Sequence, residues 1–111
     1  MDAAVVRQLK IKTGVVKRMT KDKASYLKEV EVERERIAKM KEMGREEYDV
    51  KRQEEVVKEC LGMIQHAHKR LLIAYNDLKE ALEGSQEVSE SEEYLAAKEV
   101  LEQAQLALES P

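Results

Sequence analysis

The sequence predicts an all-α protein: an elongated antiparallel three-helix bundle with two long helices and one shorter third helix. Three observations carry that prediction. The single proline is Pro111, the last residue, so no internal proline breaks a helix. Charged residues make up 39% of the chain, and the aromatics are four tyrosines with no Trp or Phe. A chain so rich in Ala, Glu, Lys, Leu and Arg reads as long helices or coiled coil, and it lacks the turn signals and aromatic strands of a sandwich or barrel. Finally, apolar residues recur at the heptad period in long uninterrupted segments.

The first helix is expected over about 3–42. One seam is Leu9, Val16, Lys23, Val30 and Ile37, the other Val5, Lys12, Met19, Tyr26, Glu33 and Met40. The bland reading of Lys12 and Lys23 is that their stems pack while the ammonium groups reach water. The second helix, about 48–83, has seams Val50, Val57, Ile64, Leu71, Leu78 and Glu54, Leu61, His68, Tyr75, Leu82. Beside them runs a stripe of small residues, Cys60, Ala67, Ala74 and Ala81, which lets a third helix approach closely. That third helix, about 89–109, offers Tyr94, Leu101 and Leu108 with Ala97 and Ala104. Gly44 and Gly84 are expected as left-handed residues ending the first two helices. Asp49 is expected to cap the second helix, and Ser89 with Glu92 has the spacing of a capping box on the third. The whole chain, residues 1–111, is expected to be one domain.

The unequal lengths suggest where a partner would bind. A third helix of about 20 residues covers roughly half of a hairpin whose arms are about 55 Å long at 1.5 Å per residue. Residues of about 27–63 are then left with two layers. Leu27, Val30, Ile37, Met40, Val57 and Leu61 lie there and are candidates for a partner or dimer surface.

Charge is uneven. Residues 1–42 carry twelve Lys/Arg against seven Asp/Glu, whereas residues 85–111 carry Lys98 against seven glutamates. The basic run does not read as a nucleic-acid arm, because Leu9, Val16 and Met19 continue the apolar seam through it. A membrane-surface helix is disfavoured because the same apolar face packs against the other helices. No stretch of about 18 apolar residues is present, and no apolar signal-peptide core follows the N-terminus. The lone Cys60 has no intramolecular disulfide partner, consistent with a reducing compartment. His66 and His68 point about 160° apart on a helix and share no metal, and no carboxylate sits three residues before either. There is no phosphate loop, nucleophile elbow or redox cysteine pair, so neither an enzyme nor a cofactor or metal site is expected.

Arg7-Gln8-Leu9-Lys10-Ile11-Lys12-Thr13-Gly14-Val15-Val16-Lys17-Arg18 closely resembles the N-terminal signature of tubulin-binding cofactor A. Tyr26 then Glu29, Tyr48-Asp49, Lys69-Arg70-Leu71 and Glu92-Glu93-Tyr94 follow in the order of that family. One departure is Gly62-Met63-Ile64-Gln65-His66-Ala67, where relatives often carry Met-Met-Ile-Pro-Asp-Cys; without that proline a straighter second helix is expected. The resemblance implies a non-catalytic cytoplasmic, cytoskeleton-associated chaperone. It would capture β-tubulin after chaperonin release and pass it on for assembly with α-tubulin, meeting other tubulin-folding cofactors only indirectly. It does not identify contact residues. The outward basic residues Lys10, Lys17, Arg18 and Lys21 are the candidates for an acidic partner. The competing expectation is a coiled-coil scaffold that forms a homodimer through the bare hairpin end and holds a non-tubulin partner.

Overall fold

The computed structural model describes residues 2–110. Helix α1 runs Asp2–Glu42, α2 Glu47–Glu83 and α3 Glu92–Glu109, with a short 3-10 turn at Gln86–Val88 before α3. Together they make a rod of 65 × 20 × 17 Å. Its length is that of α1, since 41 residues at 1.5 Å per residue span about 60 Å.

The hairpin between α1 and α2 turns at Gly44, whose φ of 71° is the left-handed conformation expected there. The Arg45 N–H donates to the Met40 carbonyl at 2.9 Å and the Gly44 N–H to the Lys41 carbonyl at 3.1 Å, closing a Schellman motif. The reversal is tight enough that α2 begins at Glu47, with Glu46 at the N-cap. Asp49 is therefore not the cap. It sits in the first turn, where its charge suits the positive end of the helix dipole.

The second connection departs from expectation. Gly84 has φ −85° and is not left-handed. Its N–H donates to the Glu80 carbonyl, and the Ser85 hydroxyl donates to the Ala81 carbonyl at 2.6 Å, so the chain continues the helical sense. Val88, buried in the 3-10 turn, plugs the end of the bundle. Because that turn occupies Gln86–Val88, the cap of α3 is Ser91 rather than Ser89. Its Oγ accepts from the Tyr94 N–H at 3.1 Å and donates to the Val88 carbonyl at 2.8 Å.

The core falls into two clusters. The larger joins Leu9 and Val16 of α1, Leu71, Ala74, Leu78 and Leu82 of α2, and Tyr94, Ala97, Val100, Leu101 and Ala104 of α3. The smaller, beyond the reach of α3, is Val30, Val57, Cys60 and Ile64, with Tyr26, Leu27 and Ile37 packed against it. In α2 the stripe Cys60, Ala67, Ala74 is buried, while Glu54 and Leu61 of the expected second seam are exposed and His68 and Tyr75 half-buried. The stripe does not seat the third helix as expected: Cys60 lies beside an open groove with Tyr26 and Met63, and Ala74 beside one with Val15 and Met19, while the end of α3 at Ser110 lies on the His68 side of α2. Helix α2 is continuous through Gly62–Ala67.

Polar seam residues of α1 each meet α2. Lys12 pairs with Asp77 at 2.8 Å, Lys23 meets His68, and Glu33 accepts a hydrogen bond from Gln53. The partners run in opposite order along the two helices, as antiparallel packing requires. A polar residue in a seam penalises every register that leaves it unpaired, so these contacts fix the hairpin alignment.

Candidate functional site

Lys23 marks the boundary between the two halves of the rod. It stands on the seam between Val16 and Val30, is 1% exposed, and its ammonium does not reach water, contrary to expectation. Nζ donates to the Ala107 carbonyl at 2.5 Å and the Ser110 carbonyl at 2.8 Å, and lies 3.0 Å from His68 Nδ1. Nζ thus has two backbone carbonyls and a ring nitrogen within hydrogen-bond distance of its three N–H donors. Helix α3 has no basic residue in its last turn, and its final carbonyls would otherwise lack partners. Lys23 supplies both the hydrogen bonds and the positive charge that a helix C-terminus favours. Burial lowers the Lys23 pKa below the ordinary 10.5. The seam position was legible in the sequence; its destination was not, because that depends on where α3 stops.

Beyond Lys23 the hairpin is bare. Of the apolar candidates, Val30 and Val57 are buried between α1 and α2 and cannot form an open surface. Leu27, Ile37 and Met40 are half-buried, and Leu61 is 40% exposed. Sequence periodicity could not separate these, because it marks an apolar stripe without saying which flank faces outward. A groove lined by Tyr26, Glu29, Val56, Glu59, Cys60 and Met63 runs along one side. The Cys60 thiol at its floor has a pKa raised above 9.0 by burial and by the charges of Glu29, Glu33 and Glu59, which makes it a poor nucleophile. The exposed Val56 and Met63 belong to this surface as well.

The basic candidates divide. Lys10 lines a shallow groove with Thr13, Glu92, Glu93 and Ala96, so its charge faces the acidic start of α3. Lys17, Arg18 and Lys21 are exposed on α1, free to meet an acidic surface. No helix among the described residues is long and apolar enough to cross a membrane. The open grooves are lined by helix surface.

The family model for tubulin binding cofactor A matches residues 4–101. The chain belongs to the tubulin binding cofactor A family. Tubulin-specific chaperone A from Gallus gallus is 45% identical over 101 residues, covering 91% of this chain and 94% of the relative. The crystal structure of tubulin folding cofactor A from Arabidopsis thaliana superposes with a TM-score of 0.88 at 42% identity, covering 94% of this chain and 98% of that one. Human tubulin chaperone cofactor A superposes with a TM-score of 0.79, also at 42% identity, covering 91% and 98%. The all-α bundle of two long helices and a shorter third is thus the architecture of the tubulin binding cofactor A family, and the dimerising-scaffold alternative is not favoured.

Proposed function

We propose that this protein is a tubulin-folding cofactor, a non-catalytic cytoplasmic chaperone that captures β-tubulin after chaperonin release, holds it, and passes it on for assembly with α-tubulin. The observation that carries this reading is the family match across residues 4–101. The physical form supports it. A holding chaperone needs a rigid frame and an adhesive surface. Here the frame is the three-layered half, and the adhesive surface combines the exposed basic face of α1 in that half with partly open apolar residues at the bare end. Lys17, Arg18 and Lys21 form a basic face on α1 for an acidic client.

Capture is the direct test. Radiolabelled β-tubulin released from chaperonin is incubated with the protein and run on a native sizing column. The expected result is a discrete β-tubulin complex, with no α-tubulin complex formed in a parallel incubation. Monodisperse helical protein that shifts neither tubulin would contradict the reading. Charge reversal at Lys17, Arg18 and Lys21 is expected to weaken capture and flatten its salt dependence.

A further inference from the structure

A track already shaped for a helix continues past the point where α3 stops. Ser110 shares a depression with Ile64, Gln65, His68 and Lys69. Farther along the hairpin, Arg34, Ile37, Glu54 and Val57 line another. Glu54, Val57, Leu61, Ile64, Gln65 and His68 recur along α2 at spacings of three and four and so share one face. His68 is tied through Lys23 to the end of α3, which places that face in line with the third helix. From His68 to Glu54 the bare track is about 20 Å long at 1.5 Å per residue, room for roughly four helical turns.

The present occupant of the track shows that it seats an amphipathic helix by its apolar face. Helix α3 carries five glutamates and one lysine, with Tyr94, Ala97, Leu101 and Ala104 turned inward. It is an acidic amphipathic helix laid along the groove between α1 and α2. Past Ser110 the rims of the groove carry cations. Lys69 flanks its start and Arg34 its far end; Lys58 lies between them by helical spacing, and Glu54 is an acidic neighbour at the far end. All three cations are exposed, and Leu61 offers an open apolar contact.

We propose that this bare track binds an acidic amphipathic helix of the tubulin client, seated end to end with α3 over the exposed Leu61 and rimmed by Arg34, Lys58 and Lys69. The proposal rests on the tubulin-capture reading and specifies the surface used. A second copy of this chain fits less well: a two-fold contact through the same patch would set the two basic rims against each other.

A photo-crosslinking residue at Leu61 is compared with one at Ile73, which lies in a different groove with Val15, Met19, Arg70 and Asp77. Each variant is incubated with chaperonin-released β-tubulin and irradiated. The expected outcome is a β-tubulin adduct from position 61, mapping to an acidic helical peptide, and none from 73. In parallel, the combined variant Arg34→Glu, Lys58→Glu, Lys69→Glu should lose about tenfold in capture affinity with helicity and melting unchanged, since all three side chains are exposed. An adduct from 73 alone, an adduct to a second copy from 61, or undiminished capture by the triple variant would overturn the proposal. If the unmodified protein captures no β-tubulin, the tubulin reading falls and takes the proposal with it. That failure is read in the unmodified control and is distinct from a failure of the track.

Discussion

The covered and bare halves of the rod are built from the same two helices, yet they bury their seams to different depths. Under α3, Val16, Leu71, Leu78, Ala97 and Ala104 are all 0% exposed. In the bare half no apolar residue is fully closed: Val30, Val50, Val57, Cys60 and Ile64 retain 4–8%, as do only the marginal members of the covered core such as Leu82 and Tyr94. Two helices give each seam residue one opposing wall, and water reaches it from both flanks; a third helix closes one flank. Polar contacts share the work where apolar closure is incomplete. Glu33 is buried in the bare half, held by Gln53 and by Arg36 at 3.3 Å. The lesson is a division of labour that the proposed function would use: the covered half closes its seam with three helices, and the bare half leaves the flanks of its seam open.

The largest expected effect compares one core truncation in each half. Leu71→Ala should destabilise by about 2–5 kcal/mol, the range for a fully buried leucine with a residual cavity. Val57→Ala should cost about 1.5 kcal/mol, from the smaller side chain lost and the easier relaxation of an open flank. Urea denaturation of both variants measures the difference; equal losses would erase the distinction between the halves.

Removing the clasp between them comes next. Lys23→Met leaves the Ala107 and Ser110 carbonyls without their donor, at about 1–3 kcal/mol. The loss should be local. Amide exchange should accelerate in the last turn of α3, while Val30 and Val57 of the bare half keep their protection.

The same residue gives a pH dependence. Its lowered pKa means that, between that lowered value and 10.5, the folded chain binds fewer protons than the unfolded chain. Stability contributed by Lys23 therefore rises with pH across that window. The urea midpoint of the wild type relative to Lys23→Met should climb as pH approaches 10.5, and a flat difference would show that the ammonium is not desolvated.

The smallest effect sharpens the contrast from the other side. A Cβ built on Gly62, in the bare half, meets nothing within 4 Å. Gly62→Ala should therefore stabilise by about 0.4–1 kcal/mol through the unfolded state alone. A drop in melting temperature would contradict this reading, since no atom of the isolated chain lies in the way of that Cβ.

Much of the fold was legible because heptad seams of unequal length dictate both the helices and the place where the third layer ends. Gly44 was legible too, since a glycine after a long periodic run is the ordinary way to reach the left-handed region. The second connection was not, because spacing alone favoured Ser89, while the 3-10 turn around the buried Val88 moved the cap to Ser91. The candidate surface was half legible. Val30 and Val57 share the period of Leu61, but only the packing angle of α1 against α2 decides which of them turns inward. Lys23 was misread for a related reason: a lysine in a seam ordinarily finds water, and here the end of another helix lies in its path.

Amide exchange of the full chain, free and bound to β-tubulin, tests the division of labour most directly. The account predicts that binding slows exchange along residues 27–37 and 54–65 and leaves residues 71–82 and 94–104, already closed by α3, unchanged. Slowed exchange confined to the covered half, with the bare half indifferent to the client, would contradict it.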